Sequence, residues 1–135
     1  MKGVSSVIET VLIAAATVLF LAYLVGALND FSTRVVSERT RVAMIVDSQK
    51  VINSILLARR EIGSDQARFY LSLSDVSYEM SVQNGYLIAR NRDHTTNTSL
   101  FNLDSYLTFS GKIINSKGQK PYIISSGSLV TLGVE

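Results

Sequence analysis

From Thr10 to Leu28 the chain reads TVLIAAATVLFLAYLVGAL, a run without a single charged residue. As a helix, about 19 residues rising about 1.5 Å each span roughly 28 Å, close to the hydrocarbon thickness of a bilayer. Beyond Leu28 the sequence turns polar without turning into loop, because no proline or glycine occurs between Asn29 and Ile62. Phe31, Val35, Val42, Ile45, Ile52, Ile55 and Leu56 recur mostly in steps of three, four or seven, which marks one face of a helix. The pattern predicts one helix from Ser6 to Ile62, about 57 residues or roughly 85 Å long. Its first half is lipid-facing and its second half amphipathic. Gly26 is the expected place for a bend. Gly63, just after Arg59 and Arg60, is the expected C-cap. A secretory signal peptide is the competing reading of the apolar run. Its core is shorter, about 7–15 residues, and is followed by a break, whereas helical patterning continues here. The segment therefore reads as retained.

From Asp65 onward the period changes to two. In VSYEMSVQ, Val76, Tyr78, Met80 and Val82 alternate with Ser77, Glu79, Ser81 and Gln83, the signature of a half-buried strand. Asn84-Gly85 follows, and a type I′ hairpin turn needs positive φ at both of its central residues. That turn sets a register in which Val82 faces Leu87, Met80 faces Ala89 and Glu79 faces Arg90. Phe69, Leu71 and Leu73 predict a strand in RFYLSL, and further strands are predicted at Tyr106–Ser110, Lys112–Asn115, Tyr122–Ser125 and Leu129–Val134. Asp93 to Ser99, DHTTNTS, reads as an exposed loop and NSKGQ as a turn. Pro121 marks its neighbourhood as a sheet edge. About seventy residues make a thin core, so the stripe from Val42 to Leu56 is expected to complete it. The fold class is α+β: a long N-terminal helix packed on a small antiparallel β-domain.

Composition removes several functions. The 135 residues carry a net charge of +2, with no basic stripe to hold a phosphate backbone, so no nucleic-acid partner is expected. Cysteine is absent, which excludes disulfides and thiolate metal sites. His94 is the one histidine and sits in a polar stretch, so no metal and no cofactor are expected. Ser125, Ser126 and Ser128 have no base beside them in the pattern. No phosphate-cradling glycine loop and no paired carboxylates are seen, and an enzyme is not expected.

The remaining signal is KGVSSVIE, Lys2 to Glu9. Ser6-Val7-Ile8-Glu9 has the form of a capping box, in which serine and glutamate each satisfy a free backbone N–H at a helix start. That is one complete account of Glu9. The other comes from the layout: basic residue and glycine, a short mixed stretch with a glutamate, an apolar run, an amphipathic helix and a β-domain. This resembles the type IV pilin family in its archaeal form, with a class III signal peptide. At residue level Lys2-Gly3-Val4-Ser5 and Glu9 carry the resemblance. It implies cleavage by a membrane prepilin-type peptidase between Gly3 and Val4, so that residues 1–3 form a leader. Val4 would then be the new N-terminus. Glu9 would be the sixth residue of the processed chain, whereas the family usually places its glutamate fifth. The resemblance also implies that Glu9 pairs with a neighbouring subunit's new α-amino group, since a carboxylate among packed apolar helices needs a partner charge.

The expected organisation is a leader at 1–3, an apolar transmembrane or filament-core helix at 4–28, its amphipathic continuation at 29–63 and a β-domain at 64–135. The expected function is a major or minor structural subunit of an extracellular pilus-like filament, self-associating after residence in the membrane. The alternative is a single-pass anchored accessory protein whose β-domain binds an envelope or secretion partner without polymerising. Arg34, Arg39 and Arg41 after the span, against Lys2 before it, favour a cytoplasmic C-terminal domain by the positive-inside rule. The pilin layout requires an extracellular one, as does Asn97-Thr98-Ser99, an N-glycosylation sequon. Those arginines begin beyond the span on a helix that continues, so an extracellular C-terminal domain is expected.

Overall fold

A computed structural model describes residues 2–62 and 66–135. Gly63, the expected C-cap, lies outside the described residues. Helix α1 runs from Lys2 to Ile62 without interruption, passing through Gly26, where an added Cβ would meet nothing within 4 Å. It starts a turn earlier than Ser6. The capping box is therefore not formed at the helix end: Ser6 is helical and its carbonyl accepts a hydrogen bond from Thr10 Oγ1 at 2.9 Å. Nothing in Lys2–Ser5 stops a helix except one glycine, whose penalty of about 1 kcal/mol is too small to end it.

The chain divides between Glu38 and Arg39 into two compact units. In the first, the helix stands with its apolar side chains exposed. In the second, α1 from Arg39 packs with eight strands: β1 (Ala67–Tyr70), β2 (Tyr78–Gln83), β3 (Tyr86–Arg90), β4 (Thr95–Ser99), β5 (Thr108–Gly111), β6 (Ile113–Asn115), β7 (Pro121–Ser126) and β8 (Leu129–Val134). They form two four-stranded sheets, ordered β1-β7-β8-β5 and β4-β3-β2-β6. All pairings are antiparallel except β5 with β8, which run parallel. The α+β class holds, with a two-sheet domain in place of a single sheet.

The hairpin forms in the expected register, Val82 against Leu87, Met80 against Ala89 and Glu79 against Arg90. Asn84 and Gly85 both have positive φ, 50° and 77°, as the I′ turn demands. Three other expectations change. DHTTNTS is not a loop: Thr95–Ser99 is strand β4, with Thr96 and Thr98 buried. Its threonines are good strand formers, and the polar composition concealed the alternation. Pro121 does not mark an edge, for β7 lies between β1 and β8. It is the first residue of its strand, where a missing N–H is tolerated, and its carbonyl accepts from Leu71 N at 2.9 Å. That bond follows a β1 that ends at Tyr70, short of Leu71 and Leu73.

The helix buries a face that only partly matches the one the apolar residues mark. Ile52 and Ile55 of the expected stripe are buried, together with Met44, Asp47, Ser48, Val51 and Ala58, while Val42, Ile45 and Leu56 are exposed. The buried set repeats in steps of three and four, but two of its members are polar and so dropped out of a purely hydrophobic count. Met44, Val51, Ile52 and Ile55 join Tyr78, Met80, Leu87, Ile113, Ile123, Val130 and Leu132, from both sheets, in one core.

The Asn84-Gly85 turn yields a test. A Cβ at residue 85 would lie 2.9 Å from Asp104 Oδ2 at positive φ. Gly85→Ala is expected to lower stability by about 1 kcal/mol or more, read as a melting-temperature drop of about 4–8 °C in the detergent-solubilised chain.

Candidate functional site: an uncovered apolar helix and a buried carboxylate latch

From Val4 to Leu28, fourteen large hydrophobic side chains are exposed, among them Val7, Leu12, Phe20 and Tyr23 at 63%, 63%, 63% and 74%. They point to every side of the helix, since Ile8, Val11, Leu12 and Ile13 are all exposed within two turns. Covering such side chains is worth about 1.5 kcal/mol or more each, so the set represents on the order of 20 kcal/mol. That exceeds the whole folding stability of an ordinary domain, about 5–15 kcal/mol. A surface of this size marks a partner or a membrane.

The two threonine hydroxyls of the run are already satisfied. Thr10 Oγ1 donates to Ser6 O at 2.9 Å and Thr17 Oγ1 to Ile13 O at 2.8 Å. With the backbone bonded internally as well, neither the main chain nor the threonines bar the segment from an apolar medium. By length and composition α1 contains one candidate membrane span, none of it buried within the protein. Glu9, the one acidic residue between Lys2 and Asp30, is exposed on this surface. Lys2, Gly3 and Val4 all lie within the first turn, so the expected cleavage point, Gly3–Val4, sits where helical N–H groups have no carbonyl partner in any helix.

The second unit contains a polar centre that sequence reasoning missed. Asp47 is 1% exposed, on the face of α1 that packs into the domain. Its Oδ2 accepts from Ser74 N at 2.8 Å, Ser74 Oγ at 2.5 Å and Tyr78 OH at 2.6 Å. Lys50 Nζ donates to Oδ1 at 3.1 Å. Asn115 Nδ2 in turn donates to Ser74 O and Val76 O, each at 2.7 Å. Helix, β1–β2 connection, β2 and β6 are thus tied through one carboxylate. Burial pushes the Asp47 carboxyl up, but the bonds from Ser74, Tyr78 and Lys50 outweigh it, and its pKa lies below the ordinary value. The Tyr78 phenol is held well above its ordinary range, first by burial and then by donating to that carboxylate. Both carboxylate oxygens are occupied, and the cavity of about 250 Å³ beside Ser74 and Asn115 is not lined by Asp47 or Tyr78, so the centre is a latch rather than a reaction site. Its sequence trace is the spacing Met44, Asp47, Val51, Ile55, Ala58, visible once an aspartate is admitted among core positions.

The other expected positions are dispersed. Asn97 is exposed on β4, and His94 has its backbone N–H bonded to Asn91 Oδ1 at 2.7 Å. Among the described residues no three His, Cys, Asp or Glu side chains gather as a metal site.

The latch predicts an acid limb. Because the folded Asp47 pKa is depressed, its contribution is complete above the unfolded value of about 3.9 and is lost as pH falls through the folded pKa. Asp47→Asn should lower stability at pH 7 by about 2 kcal/mol or more, the scale of hydrogen bonds to a charged group. It should also flatten the decline in stability as pH falls below the unfolded value of about 3.9 in urea titrations.

No protein-family model matches the chain, and neither a curated protein nor a solved structure is detectably similar to it. The functional reading therefore grows from the chain's own surfaces.

Proposed function

We propose that this chain is a structural subunit of a pilin-like extracellular filament, assembled by packing its apolar N-terminal helix against copies of itself. One observation carries the reading: a helix half with large apolar side chains exposed on every side runs unbroken into a helix half that shares one core with both sheets of a folded domain. In the membrane, lipid covers the first half. In a filament, sister helices cover it, and the domain stays in water. Ala14, Ala15 and Ala16 sit among large residues in the run, and small residues permit the close helix approach on which apolar bundles depend.

Processing fits the same scheme. A prepilin-type peptidase would cut after Gly3 in the first helical turn, leaving a cationic α-amino group on Val4. Glu9 lies about one and a half turns further along, too far to neutralise its own N-terminus but available to a neighbour's. A carboxylate brought into an apolar bundle without a partner is strongly disfavoured, which makes that pairing a device for setting the stagger between subunits.

Two variants test the proposal. Glu9→Ala is expected to insert in the membrane and be processed normally while filament yield falls about tenfold or more. Leu19→Asp, worth about 3 kcal/mol against insertion at a span centre, should lower membrane residence and, by placing an unpaired carboxylate among packed helices, cut filament yield at least about tenfold. Filaments from Glu9→Ala at unchanged yield would remove the pairing role. A native chain that remains a small detergent-soluble species, with no particulate extracellular form, would favour the accessory-anchor reading.

A further inference from the structure

We propose that Asn97 carries an N-linked glycan whose first sugars lie across the outward face of the β4-β3-β2-β6 sheet. The proposal rests on the extracellular placement of the β-domain in the reading above, and not on polymerisation.

The sequon Asn97-Thr98-Ser99 falls on β4 with Asn97 and Ser99 exposed and Thr98 buried. Asn97 is the middle residue of a strand at the sheet edge. An edge strand is bonded on one side only and is the part of a sheet that opens most readily to an enzyme needing extended chain. The Asn97 amide makes no hydrogen bond within the described residues, so its Nδ2 is open to modification. The reaction it fits is transfer from a lipid-phosphate-linked oligosaccharide. The sugar C1–O bond to phosphate breaks, the C1–Nδ2 bond forms, the amide loses one proton and the lipid phosphate leaves. Ser99 supplies the hydroxyl that the sequon requires at its third position.

The surface beside Asn97 has the chemistry of a sugar bed. In register, Asn97 faces Ile88 and Ile88 faces Ser81, one row running across three strands. The adjacent row is Ser99, Tyr86 and Gln83, with Tyr86 48% exposed. Beyond Ile88 the face holds a shallow groove of about 330 Å³ lined by Glu79, Ser81, Gln83, Ile88, Arg90 and Asn91. Strands lie about 4.8 Å apart, so the row at Ser81 is roughly 10 Å from Asn97, within reach of a short oligosaccharide. The apolar faces of its sugars would rest on Ile88 and the Tyr86 ring, and their hydroxyls would meet Ser81, Gln83 and Arg90. Those three side chains make no hydrogen bond or ion pair within the described residues. β4 also lacks the lysine or proline that commonly guards an edge, and a glycan at its centre would hold neighbouring copies away from it.

The test is mass spectrometry of the 93–112 tryptic peptide of the chain recovered from native cell envelopes, with the N-terminal peptide read from the same sample. The expected result is a glycan mass on Asn97, lost in Asn97→Gln and Ser99→Ala and kept in Thr98→Val. An unmodified Asn97 in the native chain overturns the proposal, whether or not the N-terminus begins at Val4. A glycan on a chain that begins at Met1 upholds it while counting against filament processing. Nitration by tetranitromethane tests the sugar bed: Tyr86 should react at least several-fold faster in Asn97→Gln than in the glycosylated chain. Equal rates would overturn the placement across the sheet.

Discussion

One uninterrupted backbone ladder has to serve two surroundings, and that constraint governs the molecule. A helix satisfies its own N–H and C=O groups, so its side chains alone decide where each length can reside. From Thr10 to Leu28 they carry no charge and expose large apolar groups on every side, which makes water an unfavourable environment. From Met44 to Ala58 they are apolar on one side and divided by Asp47 and Ser48, which commits that side to a folded domain. No proline lies between Lys2 and Ile62 to separate the two lengths.

The domain end of this helix is specified by polar contacts as well as by burial. A helix face of methionine, valine, isoleucine and alanine could rotate or slide against two sheets at modest cost, because such surfaces repack. A carboxylate with three donors from Ser74 and Tyr78 cannot. Displacing it by one turn would strand a buried charge, which costs several kcal/mol. In the proposed filament the position of the domain along the helix sets which surfaces reach the outside. The latch at Asp47 is the feature that fixes it.

Much of this was legible in the sequence where a local rule acts alone. The Asn-Gly turn dictated the β2–β3 register, and the charge-free run with its unbroken continuation dictated the long helix. Legibility ended where tertiary context reversed a local signal. Asp47 and Ser48 looked like surface residues, and only donors brought from 27 and 31 residues away make the aspartate a core group. Of the Val42–Leu56 stripe only Ile52 and Ile55 belong to the buried face, because the polar members of that face broke its pattern. β4 looked like a loop because threonine, asparagine and serine supply both loops and edge strands. Pro121 pointed to an edge because the rule about missing N–H groups does not distinguish a strand's first residue from its middle. At the N-terminus the capping box failed for the opposite reason, since nothing before Ser6 was strong enough to stop the helix.

In the proposed filament the apolar half of α1 leaves the membrane to be covered by copies of itself after the leader is removed. The most direct measurement is the intact mass and N-terminal sequence of the chain in the particulate material sheared from cell surfaces. The account predicts a chain beginning at Val4 and enriched in that fraction. A chain beginning at Met1, found only in detergent extracts of the membrane, would contradict it and leave a single-pass anchor whose apolar helix never exchanges lipid for protein.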